Sequence, residues 1–256
     1  IKIEAPGAGD IARYYGPTPL PGMAASFMVM NRNKRGIVID MRKPGGKETL
    51  MRLVQDADVV LQNFRPGVVD RLGIGYEGCR AVKPDVIYVS ISGFGDDGPY
   101  AANRVYDPVI QAVTGYMGVQ SDLETGEPEP VRNIICDKVT SMTVVQGVLA
   151  ALFARQRGAG GQHVKIAMLD AGLGFLWSDG MCNHTWVKSM PRTPEIGDLY
   201  TVSKTTDGHV TWIASSDDEY QGLCKAVKRG DLAADPRFIK IIDRVQNIRQ
   251  LQKLVS

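Results

Sequence analysis

From residue 36 to about 175, short β-branched runs alternate with stretches of helical spacing, and this alternation constrains the fold more than any other feature. GIVID (36–40) is apolar and β-branched, and Pro44-Gly45-Gly46 then opens a helical stretch, KETLMRLVQDA. DVVLQN (58–63) reads as a second strand, followed by a Pro-Gly break and a helical run around VVDRL. DVIYVSISGFG (85–95) is a third strand that ends in glycines. DKVTSMTVVQGVLAALFARQR (137–157) has apolar residues at helical spacing and basic residues in its last turn, where they offset the helix dipole. HVKIAMLD (163–170) is the next strand, and AGLGFLWSDGM continues as a helix. Strands alternating with helices predict an α/β domain built on a mostly parallel sheet.

After about residue 185 the texture changes. HTWVKSMPRTPEIGDL has two prolines and no clear period, which suits a linker. LYTVSKT and HVTWIAS, with a turn at Asp207-Gly208 between them, predict a hairpin, and helical text runs from SDDEYQGLCKAVKRG to the end. The expected organisation is a large α/β domain over 1–185, a linker over 186–197 and part of a smaller α+β domain over 198–256. IKIE reads as the end of a buried strand, so a further segment is expected ahead of residue 1.

The bulk properties narrow the function classes. Hydrophobic residues make up 44% and charged residues 23%, near the averages for soluble globular proteins. A net charge of +2 is too small to make nucleic acid or an anionic membrane the main partner. Cys79, Cys136, Cys182 and Cys224 lie far apart, without a CxxC pair or a histidine at metal-ligand spacing. Inert thiols in a reducing cytoplasm are the expected reading. No apolar run reaches the ~18 to 20 residues needed to span a bilayer, and IKIEAPGAGD has no signal-peptide pattern. A soluble, cytoplasmic protein is predicted.

Several motifs fail on context. GIGYEG (73–78) matches GxGxxG, but helical text precedes it and the nearest good strand follows it, the reverse of a dinucleotide fingerprint. Pro44-Gly45-Gly46-Lys47 lacks the spacing and the Ser/Thr of a P-loop. His163, His184 and His209 have no paired carboxylate motif, and no GxSxG elbow supports a serine triad. The basic residues are better placed. NRNKRG (31–36) precedes the first strand of the alternation, Arg42 follows it, and Arg65 and Arg71 follow the second. Residues at the carboxyl ends of parallel strands face the crevice where α/β folds bind ligands. Guanidinium groups gathered there match phosphate oxygens, although solvated surface charge explains the same text.

Asp170 ends HVKIAM and precedes AGLGFLW. One reading is an ordinary helix N-cap. The other is a nucleophile, since an ionised carboxylate attacks a thioester without a partner base and neighbouring amides hold the oxyanion. Gly172 and Gly174 permit close approach of an acyl chain or of another helix.

In order and spacing these texts resemble the family III CoA-transferases, which include formyl-CoA and carnitine CoA-transferases. The resemblance is carried by GAGDIARYYGP, NRNKRGIVIDMRKPGGKETLMRLVQDADVVLQNFRPGVVDRLGIGY, PDVIYVSISGFGDDGPYAANRVYDPVIQAVTGYM and GVLAALFARQRGAGGQHVKIAMLDA. QNFRPGVVDRLG followed by SISGFG is its most specific part. The resemblance implies a Rossmann-like large domain, a smaller α+β domain and an obligate homodimer of interlocked rings. It implies too that counterparts of the first strand-helix unit and of a returning carboxyl-terminal segment lie outside this sequence.

By that resemblance Asp170 falls on the family's aspartate nucleophile. Asn63, Phe64 and Arg65 fall on a CoA-contacting motif, and Arg71 on a second basic contact. Ile39, Asp40, Met41 and Arg42 match the strand-end segment beside the adenosine part. Arg104, Val105, Tyr106 and Asp107 match a segment beside the thioester end. The family's glycine-rich lid has no clear counterpart, and PRTPEIG stands in its place. The implied reaction moves CoA from an acyl-CoA to a carboxylic acid through mixed anhydrides and an aspartyl-CoA thioester. Coenzyme A is then a substrate, and no metal or redox cofactor is implied.

The chain is also similar to α-methylacyl-CoA racemases, which invert a stereocentre by proton transfer. Those enzymes use a histidine where this chain has Tyr106, beside Asp107, and a second aspartate near Asp137. An ordinary tyrosine, with a pKa of about 10, is a poor proton shuttle at neutral pH. That substitution favours the transferase. A non-catalytic CoA-binding protein is the remaining alternative.

Overall fold

The computed structural model describes residues 1–122 and 124–255. The chain begins β1 (Lys2–Glu4), α1 (Ala25–Met30), β2 (Gly36–Val38), α2 (Pro44–Gln55), β3 (Val59–Gln62), α3 (Val68–Arg71), α4 (Tyr76–Val82) and β4 (Ile87–Ser92). Next come α5 (Asp107–Thr114), α6 (Tyr116–Val119), α7 (Ile135–Ala154), β5 (Gln162–Ala167) and α8 (Met168–Gly180). The last part holds β6 (Val202–Lys204), β7 (His209–Thr211), α9 (Asp217–Ala226), α10 (Gly230–Ala233), α11 (Ile241–Gln246) and α12 (Ile248–Val255). The contacts divide the chain into two compact units, each made of two separate segments. The first is Ile1–Tyr106 with Asp137–Asp170, and the second is Asp107–Cys136 with Ala171–Ser256.

In the first unit β3, β4 and β5 form a parallel sheet in that order, with Val59 opposite Ile87 and Ile87 opposite Gln162. The middle strand is sealed on both faces. Ile87 and Val89 are fully buried with Val144 and Ala151 of α7. Val86 and Tyr88 point the other way and pack with Val54 of α2 and Cys79 of α4. Helices thus cover both faces of a parallel sheet, as a βαβ topology requires. β1 and β2 form a separate parallel pair, Lys2 opposite Gly36. The sheet expected from the sequence as one piece is therefore present as two parallel pieces. GIVID pairs only over Gly36–Val38, because the chain turns at Asp40 to start α2.

Glu4, at the end of β1, is a buried carboxylate with a full set of donors. It accepts from Arg13 Nε at 2.8 Å and Nη2 at 2.7 Å, and from the Asp10 amide at 2.9 Å. Arg13 in turn lies over the Phe27 ring of α1, 4.0 Å from its centroid. A buried charge is tolerable only when paired in this way. The Arg13 bonds outweigh desolvation and draw the Glu4 carboxyl down to about 2.

Two sequence expectations need correction here. The long helix, with its extension, runs over 25 residues from Ile135 to Ala159 and is long and apolar enough to span a membrane by length and composition. Asp137, Lys138 and scattered Thr, Ser and Gln break up its apolar text, which is why no single run stands out. Its buried face instead packs on β4 and β5. The second correction concerns β5, which ends at Ala167, so that α8 begins at Met168 and Asp170 sits inside its first turn. The strand stops there because the Leu169 amide turns to donate to the Gly93 carbonyl.

In the second unit α5 is braced by Gln111. Its side chain donates to the buried Asp107 carboxylate and to the carbonyls of Val131 and Asn133, and accepts from the Val131 amide. Gly172 of α8 packs where a Cβ would lie 3.4 Å from Thr114 and 3.5 Å from Ile110. β6 and β7 form the expected antiparallel hairpin, closed by the Thr205 amide on the Gly208 carbonyl. A capping box, Ser216 with Glu219, starts α9. Tyr220, Cys224, Leu232, Phe238, Ile248 and Leu251 make the core of this helical part.

The Glu4 pair gives a pH signature. Its folded-state pKa lies below the ordinary value of 4.5, so its contribution is complete above 4.5 and is lost as pH falls toward 2. Denaturation midpoints measured across that window should fall with acid in the wild type and fall less steeply in Glu4→Gln.

Candidate functional site

The carboxyl ends of β3, β4 and β5 open into a cavity of about 380 Å³. Its floor is made by every second residue of the three strands. Gln62 and Ser90 face each other across β3 and β4, while Tyr88 faces His163 and Ser90 faces Lys165 across β4 and β5. These side chains share one side of the sheet, since strand residues alternate between faces. Phe64, Arg65, Pro66, Gly67, Val69 and Asp70 form one wall, and Tyr76 and Glu77 of α4 form another. The β3 exit loop turns through Arg65-Pro66-Gly67-Val68, closed by the Val68 amide on the Arg65 carbonyl at 3.1 Å. Gly67 has φ +78° and ψ −10°, the third position of a type II turn, which favours glycine after proline. This local rule is what turns Phe64 and Arg65 into the cavity wall.

Polar contacts order the floor. Gln62 accepts the Phe64 amide at 2.7 Å and donates to Ser90 Oγ at 2.9 Å, and Ser90 Oγ lies 2.8 Å from His163 Nε2. The His163 ring stacks on Tyr76 at 4.8 Å and meets Tyr88 edge-on at 5.3 Å. Tyr88 is itself fixed by donating to the Ile74 carbonyl. Burial, and secondarily Lys165, holds the His163 pKa below its ordinary value. Lys165 is held by Asp96 at 2.8 Å.

Of the residues named from the sequence, Phe64 and Arg65 line this cavity. Asn63 and Arg71 are exposed beside it in sequence, on the exit loop and on α3. Ile39 is buried, Met41 half-buried, and Asp40 clamps Arg42 through Nε at 2.9 Å and Nη2 at 3.1 Å. The Arg42 guanidinium in turn holds the Asp40 carboxyl below its usual range. Arg104 and Tyr106 are exposed, whereas the Val105 side chain packs on Gly93. Asp107 is buried and accepts from Gln111, so its carboxylate is occupied within its own helix. Asp170 is exposed in the first turn of α8, and its carboxylate has no hydrogen-bond or ion-pair partner among the described residues. The Gly73–Gly78 motif joins α3 to α4, a helix-to-helix connection and not a strand-to-helix phosphate loop.

Gln62, Ser90, Tyr76, His163 and Lys165 line the cavity without a motif in the sequence that marks them. The available signal was polar residues at every second position near the ends of otherwise apolar strands. Among the described residues no three His, Cys, Asp or Glu side chains gather as metal ligands.

The family model for CoA-transferase family III matches residues 1–256. The chain belongs to CoA-transferase family III. It is 40% identical over 277 residues to the formyl-CoA:oxalate CoA-transferase of Streptomyces coelicolor, covering 100% of this chain and 66% of that protein. It is 35% identical over 258 residues to the acetyl-CoA:oxalate CoA-transferase of Acetobacter aceti, covering 96% of this chain and 64% of that protein. The crystal structure of a CAIB/BAIF family protein from Brucella suis superposes with a TM-score of 0.83 at 34% identity, over 99% of this chain and 68% of that one. The family III chain thus spans about two thirds of the length of the curated relatives it matches.

One position in this family III chain ties its first strand-end segment to α2. A Cβ on Gly46 would lie 2.0 Å from the Asp40 carbonyl oxygen, so any side chain there forces the 39–42 segment off the helix. Gly46→Ala should destabilise the protein by about 2 kcal/mol or more, an overpacking cost. Denaturant unfolding of the two forms measures it directly.

Proposed function

We propose that this chain carries the CoA-binding and nucleophilic parts of an acyl-CoA:carboxylate CoA-transferase. The observation that carries the reading is Asp170. It lies at the start of a 13-residue helix that follows a parallel strand directly, exposed and unpaired among the described residues. A carboxylate there needs no base, and the positive end of the helix favours negative charge on the attacking group and on the oxyanion it creates.

The reaction balances without a redox step or a net proton. Asp170 attacks the thioester carbonyl, giving a mixed anhydride and CoA thiolate. The thiolate attacks the aspartyl carbonyl, releasing the donor acid and leaving an aspartyl-CoA thioester. The acceptor carboxylate attacks that thioester and expels the thiolate, and thiolate attack on the acceptor carbonyl then yields the new acyl-CoA and free Asp170. Each step is an acyl transfer between good nucleophiles, which is the gain of covalent catalysis. Arg65 and Arg71, with residues 39–42, Asn63, Phe64 and residues 104–107, are assigned to CoA. The exposed Tyr106, where the racemases carry histidine, supports transfer over proton shuttling.

A homodimer belongs to the same proposal. On α7, Met142, Val145, Leu149 and Phe153 are each more than half exposed and follow one another at helical spacing. The opposite face of the helix packs on the sheet, so this stripe is a second apolar face. A partner copy is its proposed cover, as the interlocked dimer implied by the family resemblance requires. The four free cysteines fit the proposed cytoplasmic setting.

Oxalate, named for both relatives, is the first acceptor to assay, against a panel of acyl-CoA donors. Asp170→Ala should lower exchange by on the order of 10⁴-fold, and intact-mass analysis of the wild type should show an Asp170-bound CoA that the variant lacks. Inversion of a 2-methylacyl-CoA without exchange would point to the racemase instead. Leu149→Glu should shift sedimentation from dimer to monomer, and an unchanged dimer would remove α7 from the interface.

A further inference from the structure

The floor of the cavity contains a hydrogen-bond chain whose direction is set by one backbone group. The Phe64 amide can only donate, and it donates to Gln62 Oε1 at 2.7 Å. That contact fixes the orientation of the Gln62 amide and turns its Nε2 toward Ser90 Oγ, 2.9 Å away. Nε2 is a donor, so Ser90 Oγ accepts there and keeps its own proton to give. The remaining partner at hydrogen-bond distance is His163 Nε2, at 2.8 Å. A Ser90 proton directed there makes His163 the acceptor at Nε2, which places the ring proton on Nδ1.

We propose that Gln62, Ser90 and neutral His163 form a directional relay that sets the conformation of the Asn63-Phe64-Arg65 loop before the ligand arrives. All three are positioning residues acting through the loop. The assignment goes beyond the transferase reading but rests on it for the identity of the ligand.

Three features favour a built device over incidental polar packing. The relay crosses three strands, so each member is placed by the sheet register and not by its own loop. Its far end is immobilised, because His163 is stacked on Tyr76 and set edge-on to Tyr88, which is tied to the Ile74 carbonyl. The charges around the ring are Lys165, Asp96, Asp70 and Glu77. Burial and Lys165 outweigh the acids and keep the imidazole in its neutral, accepting form. Holding a loop in its bound shape improves affinity by lowering the ordering cost of binding. The expected effect is on CoA binding and KM, with kcat at saturation little changed.

Three readouts test this, two of which need no ligand. Ser90→Ala and His163→Phe should each speed hydrogen exchange at the Phe64 amide, and nitrogen NMR of the wild type should show His163 Nε2 unprotonated. With free CoA as probe, calorimetry should show each variant binding about 5- to 10-fold more weakly. Ser90→Thr should restore binding, and the double variant should lose no more than either single one. A proton on Nε2, or unchanged Phe64 exchange in both variants, overturns the relay. Additive losses of affinity, or CoA binding within about twofold of wild type in both variants, overturn it as well. Should the wild type itself bind no CoA, the transferase reading fails, and the relay is still decided by the amide exchange and the histidine tautomer.

Discussion

Burial of β4 on both faces is the constraint on which the first unit depends. Val86 through Val89 are at most 1% exposed, which demands a helix layer above and below and a hydrogen-bonded strand on each edge. α7 supplies one layer, and α2 with α4 the other. Once β4 is enclosed in this way, its exposed end is its carboxyl end, where Ser90 and Ser92 replace the aliphatic residues. The cavity lies there because the core stops there. Core residues and cavity-lining residues are thus successive residues of the same strand.

Asp170 and the cavity illustrate two kinds of placement. Asp170 is positioned by a strand-to-helix junction, where the Leu169 amide donates to the Gly93 carbonyl. The same Gly93 packs under Val105, so the segment resembling the thioester contact is seated against that junction. The wall formed by Phe64 and Arg65 is positioned by a proline-glycine turn and by side chains from neighbouring strands. The proposed nucleophile and the proposed CoA contacts are therefore set by different local rules on one sheet.

Much of this was legible in the residues. β-branched runs at 58–63 and 85–95 and the apolar text of 137–157 each became the element they predicted, because burial and periodicity act locally. QNFRPG could be read as a turn and, through the family resemblance, as a contact loop. The start of α8 was misplaced by a few residues, since Met and Leu suit a strand and a helix equally and a tertiary hydrogen bond decides between them. The span-like character of α7 was hidden by a few polar residues along its length. The division into two units from non-adjacent segments has no linear signature at all.

By itself, the sequence determined the alternating architecture and the family, and it put forward Asp170 as the proposed nucleophile. These depend on periodicity, turn chemistry and motif spacing, all properties of short segments. Tertiary structure alone decided that Gln62, Ser90 and His163 meet on one face, and that Asp107 is occupied by Gln111 while Asp170 stays open. Register brings 62, 90 and 163 together across three strands, and no local pattern in any one of those strands contains the other two.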